Sequence, residues 1–296
     1  REDIHRAIMT LDDIVNYCKS TVVEMDVLGL QPDKYSLEMA LHLKEGADAL
    51  ARTLGFSPEL KAIDFRSRAA DARTAFRCMR ADGVAVLPLS VSYAIFAHTA
   101  RGVERIYELK QRAQTKPNGV IGNWDIFAEV LVTTQRDKDL VRCITQEHDL
   151  PLSVIAPFRA DHDWLRTVEY GGLRRSTKDG TMDLLLNAGR LHNDLARMSW
   201  EAAVPLMGSS ANVSLTGSKF ELTDVQESLR KGCDVVLGYG RSRYANEHAI
   251  GSTIIELPSW RVLRWGGCFE QQAAIILDRF GVALPARPTG GRLSLV

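Results

Sequence analysis

Three short stretches of this chain bring hydroxyl, amide and cationic side chains together at spacings that suit a phosphate-bearing ligand. The first is Gly208-Ser209-Ser210-Ala211-Asn212-Val213-Ser214-Leu215-Thr216-Gly217. The apolar approach Ala203-Val204-Pro205-Leu206-Met207 reads as a buried strand, and the stretch as the tight loop into which it opens. Hydroxyls, an amide and unencumbered N–H groups suit phosphate oxygens or a nucleotide sugar. A polar turn accounts for this loop equally well when it is taken alone. The second stretch, Lys110-x-Arg112 with Lys116-Pro117, sets three cations at a predicted helix end and in the turn after it. The helix dipole favours cations there in any protein. The third, Gly251-Ser252-Thr253 followed by Leu263-Arg264-x-Gly266, reads as strand-turn-strand with an inward hydroxyl pair and one arginine.

The chain is large enough to hold such groups in fixed relation. Its 296 residues make one large domain or a domain with an extension. At 45% hydrophobic and 25% charged it has the composition of a chain with a core rather than of a disordered one. Lys+Arg and Asp+Glu balance at 37 each, so no overall field draws it to nucleic acid or to an anionic membrane, and any basic character must be local. The cysteines, Cys18, Cys78, Cys143, Cys233 and Cys268, are odd in number and scattered, with no CxxC or metal-ligand cluster. Reduced thiols and a cytoplasmic location follow as expectations, with no protein-held metal. No secretory leader is visible, and the longest apolar run, residues 84–97, contains Pro88 and is too short to span a bilayer.

Residues 1–68 read as a helical extension without chemistry, a packing element or an oligomer contact. From residue 69 the pattern changes. Helices are expected over 72–80, 101–112, 191–202, 222–231 (with Leu222-Thr223-Asp224 as cap) and 268–280. Strands are expected over 84–88, 120–121, 130–132, 152–156, 181–186, 235–237, 251–256 and 261–264, and residues 174–180 read as a charged loop. Strands alternating irregularly with helices predict a mixed α/β (α+β) domain over 69–284 with one large twisted sheet. Residues 285–296, rich in proline and glycine, read as a flexible tail.

In this order and at these separations the KxR, SAN, ST and LRxG pieces resemble the YrdC-like family, the threonylcarbamoyl-adenylate synthases of tRNA t6A biosynthesis. The resemblance spans residues 69–280, and Pro151-Leu152-Ser153-Val154-Ile155-Ala156-Pro157 looks like a further family strand. It implies a twisted open sheet with flanking helices and a concave basic face. It also implies an activity: ATP, bicarbonate and L-threonine condense to threonylcarbamoyl-adenylate and pyrophosphate. No covalent nucleophile is needed. The enzyme must hold a carbamate oxygen in line with the α-phosphorus and spread positive charge over the phosphates, with Mg²⁺ held mainly by phosphates and water.

Carried over residue by residue, the nucleotide side of the resemblance is intact. Lys110 and Arg112 match the catalytic KxR, and Arg112, Lys116 (where the family commonly has Asn), Thr181, Ser210, Asn212 and Arg264 match ATP-binding positions. The amino-acid side departs. Val91 stands where the family has the second Thr of its Pro-Thr-x-Thr segment, Ile121 replaces its His, Leu185 replaces its Arg and Asn187 the nearby Pro. Ser252 is the amino-acid contact that survives. An unpaired substrate carboxylate would cost several kcal/mol, so Val91, Ile121 and Leu185 describe a pocket changed towards apolar, with Arg174, Arg175 or Arg190 as candidates for a relocated partner.

Other features carry less. Asp161-His162-Asp163 reads as a polar loop, His98 and His148 as surface or satisfied core histidines, and Arg241-x-Arg243-Tyr244 as a solvated loop or a basic lid. Trp124, Trp164, Trp200 and Trp260 read as packing residues, with Trp265 a candidate lining for the nucleotide pocket. Three functions stay open: an adenylate-forming enzyme using threonine or a substitute amine; a non-catalytic nucleotide- or RNA-binding relative that contacts tRNA; and a carbamoyl-transfer role in specialised biosynthesis. Oligomer formation is compatible with each.

Overall fold

The computed structural model describes residues 65–214 and 216–289. The chain divides after Asp64 into two units, and the described residues belong to the second. The extension expected at residues 1–68 lies, up to residue 64, outside the described residues.

Among the described residues ten strands form one mixed sheet. In chain order they are β1 (Ala85–Pro88), β2 (Tyr93–Ala97), β3 (Gly119–Gly122), β4 (Leu152–Pro157), β5 (Thr177–Lys178), β6 (Thr181–Leu186), β7 (Met207–Ser210), β8 (Val235–Val236), β9 (Ile254–Glu256) and β10 (Arg261–Arg264). They lie side by side in the order β10-β9-β4-β6-β3-β7-β2-β1-β8, with β5 hairpinned onto β6. The pairs β3–β6, β4–β9 and β1–β8 are parallel, and the rest are antiparallel.

The two faces of the sheet follow from strand alternation. In β6, Met182, Leu184 and Leu186 point to one side and are buried, while Thr181, Asp183 and Leu185 point to the other and are half-buried. The first side is the main core. It packs under α2 (Ala100–Lys110), α3 (Trp124–Val130), α4 (Gln135–Arg142) and α8 (Phe269–Phe280), which contribute Val103, Ile106, Phe127, Leu140 and Ile276. On the second side, α1 (Phe65–Arg80) and α6 (Arg190–Ala202) bury Phe76, Met79, Leu191 and Leu195 against Leu87, Phe96, Ile121 and Leu206. Burial of each such side chain stabilises by about 1.5–3 kcal/mol. Over β6 and β4 that second side carries Asp183, Leu185, Ser153 and Ile155.

Several elements differ from the sequence-based expectation. The strand expected at 130–132 is the end of α3: Asn123 caps it by accepting from the Ile126 N–H, and Ile126, Phe127 and Val130 form a helical stripe. Leu131 makes only an isolated bridge to Phe158. The loop expected at 174–180 holds the end of α5 (Tyr170–Arg174) and the hairpin β5–β6. Asp179 and Gly180 turn that hairpin with φ of 50° and 74°, the left-handed pair that Asp-Gly supplies. The helix expected over 222–231 is a 3₁₀ turn, Leu222–Asp224, followed by α7 (Glu227–Lys231), whose N-cap position is Gln226, without a side-chain cap, rather than a residue of 222–224. The approach 203–206 is not a strand, because Ala203 closes α6 in the left-handed region; β7 begins at Met207 and runs through Ser210. Pro285 to Arg287, expected as loose tail, are held: Trp265 donates to the Pro285 carbonyl at 3.0 Å, and Arg287 pairs with Glu270 at 2.6 Å.

Candidate active site

The expected helix over 101–112 stops at Lys110, and this stop separates the two cations of the KxR. Val103, Ile106, Tyr107 and Lys110 share one helical stripe, so the lysine occupies an apolar position and is only 1% exposed. Gln111, with φ 49°, reverses the chain and sends Arg112 elsewhere.

Lys110 Nζ donates to the Ser210 carbonyl, which also takes the Asn212 N–H at 2.9 Å. The Ser214 N–H and hydroxyl return to the Lys110 carbonyl at 3.0 and 3.2 Å. Within the loop the Ser210 hydroxyl donates to Asn212 Oδ1, and Asn212 Nδ2 donates to the Val213 carbonyl at 2.7 Å. Helix end and SAN loop are therefore one hydrogen-bonded unit. Gly208 lets β7 lie against β2, since a Cβ there would sit 1.9 Å from the Ile95 carbonyl oxygen.

Arg112 points its guanidinium at the entry to β3. Nη2 donates to the Pro117 carbonyl at 2.7 Å, Nε reaches that of Lys116 at 3.3 Å, and the group stacks 5.9 Å from the Tyr107 ring. Arg264 comes from β10, the strand at one edge of the sheet. A bulge between Val262 and Arg264 turns it inward, and Nε and Nη2 bind the Ser252 carbonyl and hydroxyl at 2.7 and 2.8 Å. Ser252 Oγ in turn lies 2.9 Å from Ser153 Oγ on β4. A Cβ on Gly266 would fall 2.0 Å from the Thr253 N, so the LRxG glycine is what lets β10 close on this turn.

Asp183 on β6 is the site residue that sequence reasoning missed. Its Oδ1 is sealed from solvent and meets no hydrogen-bond donor among the described residues. Opposite it stands Gly119, whose absent Cβ would lie 3.3 Å from Asp183 Oδ2. Burial pushes this carboxyl up to about 6, with Arg264 and then Arg112 pulling it back. Burial, reinforced by Arg112, pulls Lys110 down to about 7, and burial lowers both guanidiniums from the usual arginine value. The one available signal for Asp183 was an acid inside the otherwise apolar run Met182 to Leu186.

The remaining candidates divide. Thr181 uses its hydroxyl to close the hairpin, donating to the Lys178 carbonyl at 2.7 Å, and Lys116 meets Arg112 through its carbonyl. Val91 and Ile121, 4% and 0% exposed, belong to the core under α1 and α6, so two of the three altered pocket positions are filled in rather than open; Leu185 packs against the same core but stays half-buried. Arg175 is committed to Glu104 at 2.7 Å. Trp265, a candidate lining for the nucleotide pocket, instead packs on Val262 and Phe269. Arg241 pairs with Glu221 at 3.0 Å. His162 caps a 3₁₀ turn, as a polar loop requires. Away from this face, Cys143, Glu147 and His148 bring one ligand atom each within 4.8 Å of one another, although Glu147 already pairs with Arg279 at 3.2 Å. No helix among the described residues is long and apolar enough to cross a membrane.

Known proteins of the same fold exist. A hypothetical protein from Streptococcus mutans UA159 superposes with a TM-score of 0.60 at 19% identity, covering 72% of this chain and 93% of its own. P. abyssi Sua5 complexed with L-threonine gives 0.57 at 21% identity, covering 73% of this chain and 59% of that one. Full-length HypF in a phosphate- and nucleotide-bound form gives 0.51 at 14% identity, with 67% and 29% covered. These likenesses are of fold. No curated protein matches in sequence. The Sua5_yciO_yrdC family model, described as "Telomere recombination", matches residues 77–266, which include every motif described above. The chain belongs to the Sua5/YciO/YrdC family.

Proposed function

We propose that this protein is an ATP-dependent adenylate-forming enzyme. It would condense bicarbonate and an amine to a carbamate and transfer the AMP moiety of ATP to it, releasing pyrophosphate. The observation that carries the reading is a set of held donors from four separate elements. Lys110 is tied to the Ser210–Asn212 loop, Arg112 to the entry of β3, and Arg264 to Ser252. Fixed cations in a desolvated setting need no reorganisation when charge moves onto the phosphates, and each is worth more there than in water. Guanidinium, ammonium and hydroxyl groups match phosphate oxygens, so Mg²⁺ would take phosphate and water ligands rather than these side chains. The ligands of the similar structures, L-threonine in one and phosphate and nucleotide in another, belong to the classes this reading requires.

In this scheme Arg112, from the entry to the central strand β3, and Arg264, from the edge strand β10, flank the reacting phosphate, and Lys110 acquires its full charge on meeting the polyphosphate. Ser210 and Asn212 orient the nucleotide, with Lys116 and Thr181 at the rim. Two of the altered pocket positions being sealed in core gives weight to a second reading, a nucleotide- or tRNA-binding protein without turnover. Pyrophosphate release from ATP and bicarbonate, measured with amino acids and simple amines in turn, separates the two. Amine-dependent release that falls in Arg264→Met supports the enzyme. ATP or tRNA binding without release under any amine refutes it.

A further inference from the structure

We propose that Cys143, Glu147 and His148 form a binding site for one Zn²⁺ ion, away from the phosphate-binding face and independent of the activity proposed above. The three residues lie on and just after a π turn, Cys143–Glu147, that continues α4. Their ligand atoms, a thiol sulfur, a carboxylate oxygen and an imidazole nitrogen, lie within 4.8 Å of one another.

The backbone explains the juxtaposition. In an α-helix residues i and i+4 share a face, while residue i+5 turns away from it. Here the His148 N–H donates to the Cys143 carbonyl at 3.1 Å, a bond from i+5 to i. The wider turn brings residue i+5 back over residue i, so Glu147 and His148 both stand beside Cys143. Such turns are rare in helices and are frequent at functional sites. The pattern Cys-x-x-x-Glu-His hides the cluster in the sequence, because on regular helix geometry the histidine would point elsewhere.

The donor set selects the ion. Thiolate and imidazole favour a borderline-soft cation over Mg²⁺ or Ca²⁺, and one thiolate with one carboxylate balances a divalent charge. Tetrahedral Zn²⁺ sets neighbouring ligand atoms about 3.5 Å apart. Cys143 is buried and fixes one corner, whereas Glu147 and His148 are exposed and free to rotate onto the ion. Cys143 binds as the thiolate, its proton passing to solvent, and water completes the fourth position. Glu147 has a rival partner in Arg279 of α8 at 3.2 Å. Both members of that pair are half-exposed, and pairs of this kind contribute little, so the ion displaces the guanidinium into solvent.

Zn²⁺ titrated calorimetrically into the full chain under reducing conditions, with Mg²⁺ as control, tests the site. The expected result is Zn²⁺ binding that weakens on the order of tenfold or more in His148→Ala and in Glu147→Gln. Arg279→Gln removes the rival and should tighten binding severalfold, which a merely structural role for Arg279 would not do. Co²⁺ in place of Zn²⁺ should give thiolate-to-metal charge-transfer absorption that is lost in Cys143→Ser. Unchanged Zn²⁺ affinity in His148→Ala, weaker binding in Arg279→Gln, or a Co²⁺ complex without thiolate absorption overturns the proposal. Mg²⁺ bound as tightly as Zn²⁺ overturns it as well. Cys143 is buried, so if Cys143→Ser fails to fold, the exposed variants and the wild-type Co²⁺ spectrum decide. Neither ATP nor an amine enters these measurements, so their outcome is separate from that of the adenylate-forming reading.

Discussion

Asp183→Asn should make the ligand-free protein more stable at neutral pH, although it removes a site residue. The carboxyl shifts from 3.8 to about 6 because burial disfavours its charge. Two units at 1.36 kcal/mol each give about 3 kcal/mol as an upper bound, and partial solvent screening lowers the expectation to about 1–3 kcal/mol. The pH window follows from linkage. The folded-state value lies above the unfolded one, so the folded protein holds the extra proton between about 4 and about 6. The penalty is therefore absent below the lower value and complete above the higher. The gain of Asn over Asp should be full at pH 7.5, shrink as pH falls through 6, and vanish near 4. His192 works in the opposite direction across the same range. Burial pulls it from 6.5 to about 4, so its contribution is lost as pH falls through that interval. Subtracting wild type from variant at each pH cancels the histidine. Urea unfolding monitored by tryptophan fluorescence at pH 4, 5, 6 and 7.5 gives the required differences. A variant less stable than wild type at pH 7.5, or a gain that does not change with pH, would refute the claim that burial of the Asp183 charge outweighs the pull of Arg264 and Arg112.

Three further outcomes follow from the same structure. Lys110 is held near 7 by burial, so a bound polyphosphate should restore its charge; calorimetry at pH 8 in buffers of differing ionisation heat should reveal uptake of most of one proton, lost in Lys110→Met, and buffer-independent heats in the wild type would contradict this. Gly266→Ala forces a Cβ to within 2.0 Å of the Thr253 N and should destabilise by about 2 kcal/mol or more while loosening the Ser252–Arg264 contact. A thermal melt within a degree of wild type would show that the turn yields. His192→Gln should gain stability relative to wild type as pH falls from 6.5 towards 4, by up to about 3 kcal/mol, and a flat difference would mean the imidazole is solvated when folded.

Much of the fold was legible because the signals are local. The alternation of Thr181 to Leu186 identifies a half-buried strand, and the glycine and hydroxyl pieces mark turns wherever they fall. Where local signals competed, the reading failed. The apolar triplet Val130 to Val132 has strand composition, yet the Asn123 cap and the Ile126–Phe127–Val130 stripe draw its start into a helix. The Asp179-Gly180 turn was readable in principle, since those two residues favour the left-handed pair that a tight hairpin demands.

Charge was less legible than shape. By itself the sequence determined which residues are cationic, which strands alternate, and the motif order that assigns the family. Only the tertiary structure decided that Lys110 is buried under the SAN loop rather than solvated at a helix end, and that Val91 and Ile121 are core rather than pocket. It alone brings Asp183 into the fields of Arg112 and Arg264, which lie 71 residues before it and 81 after it. Burial and field depend on neighbours brought together across the sheet, and spacing along the chain does not encode them.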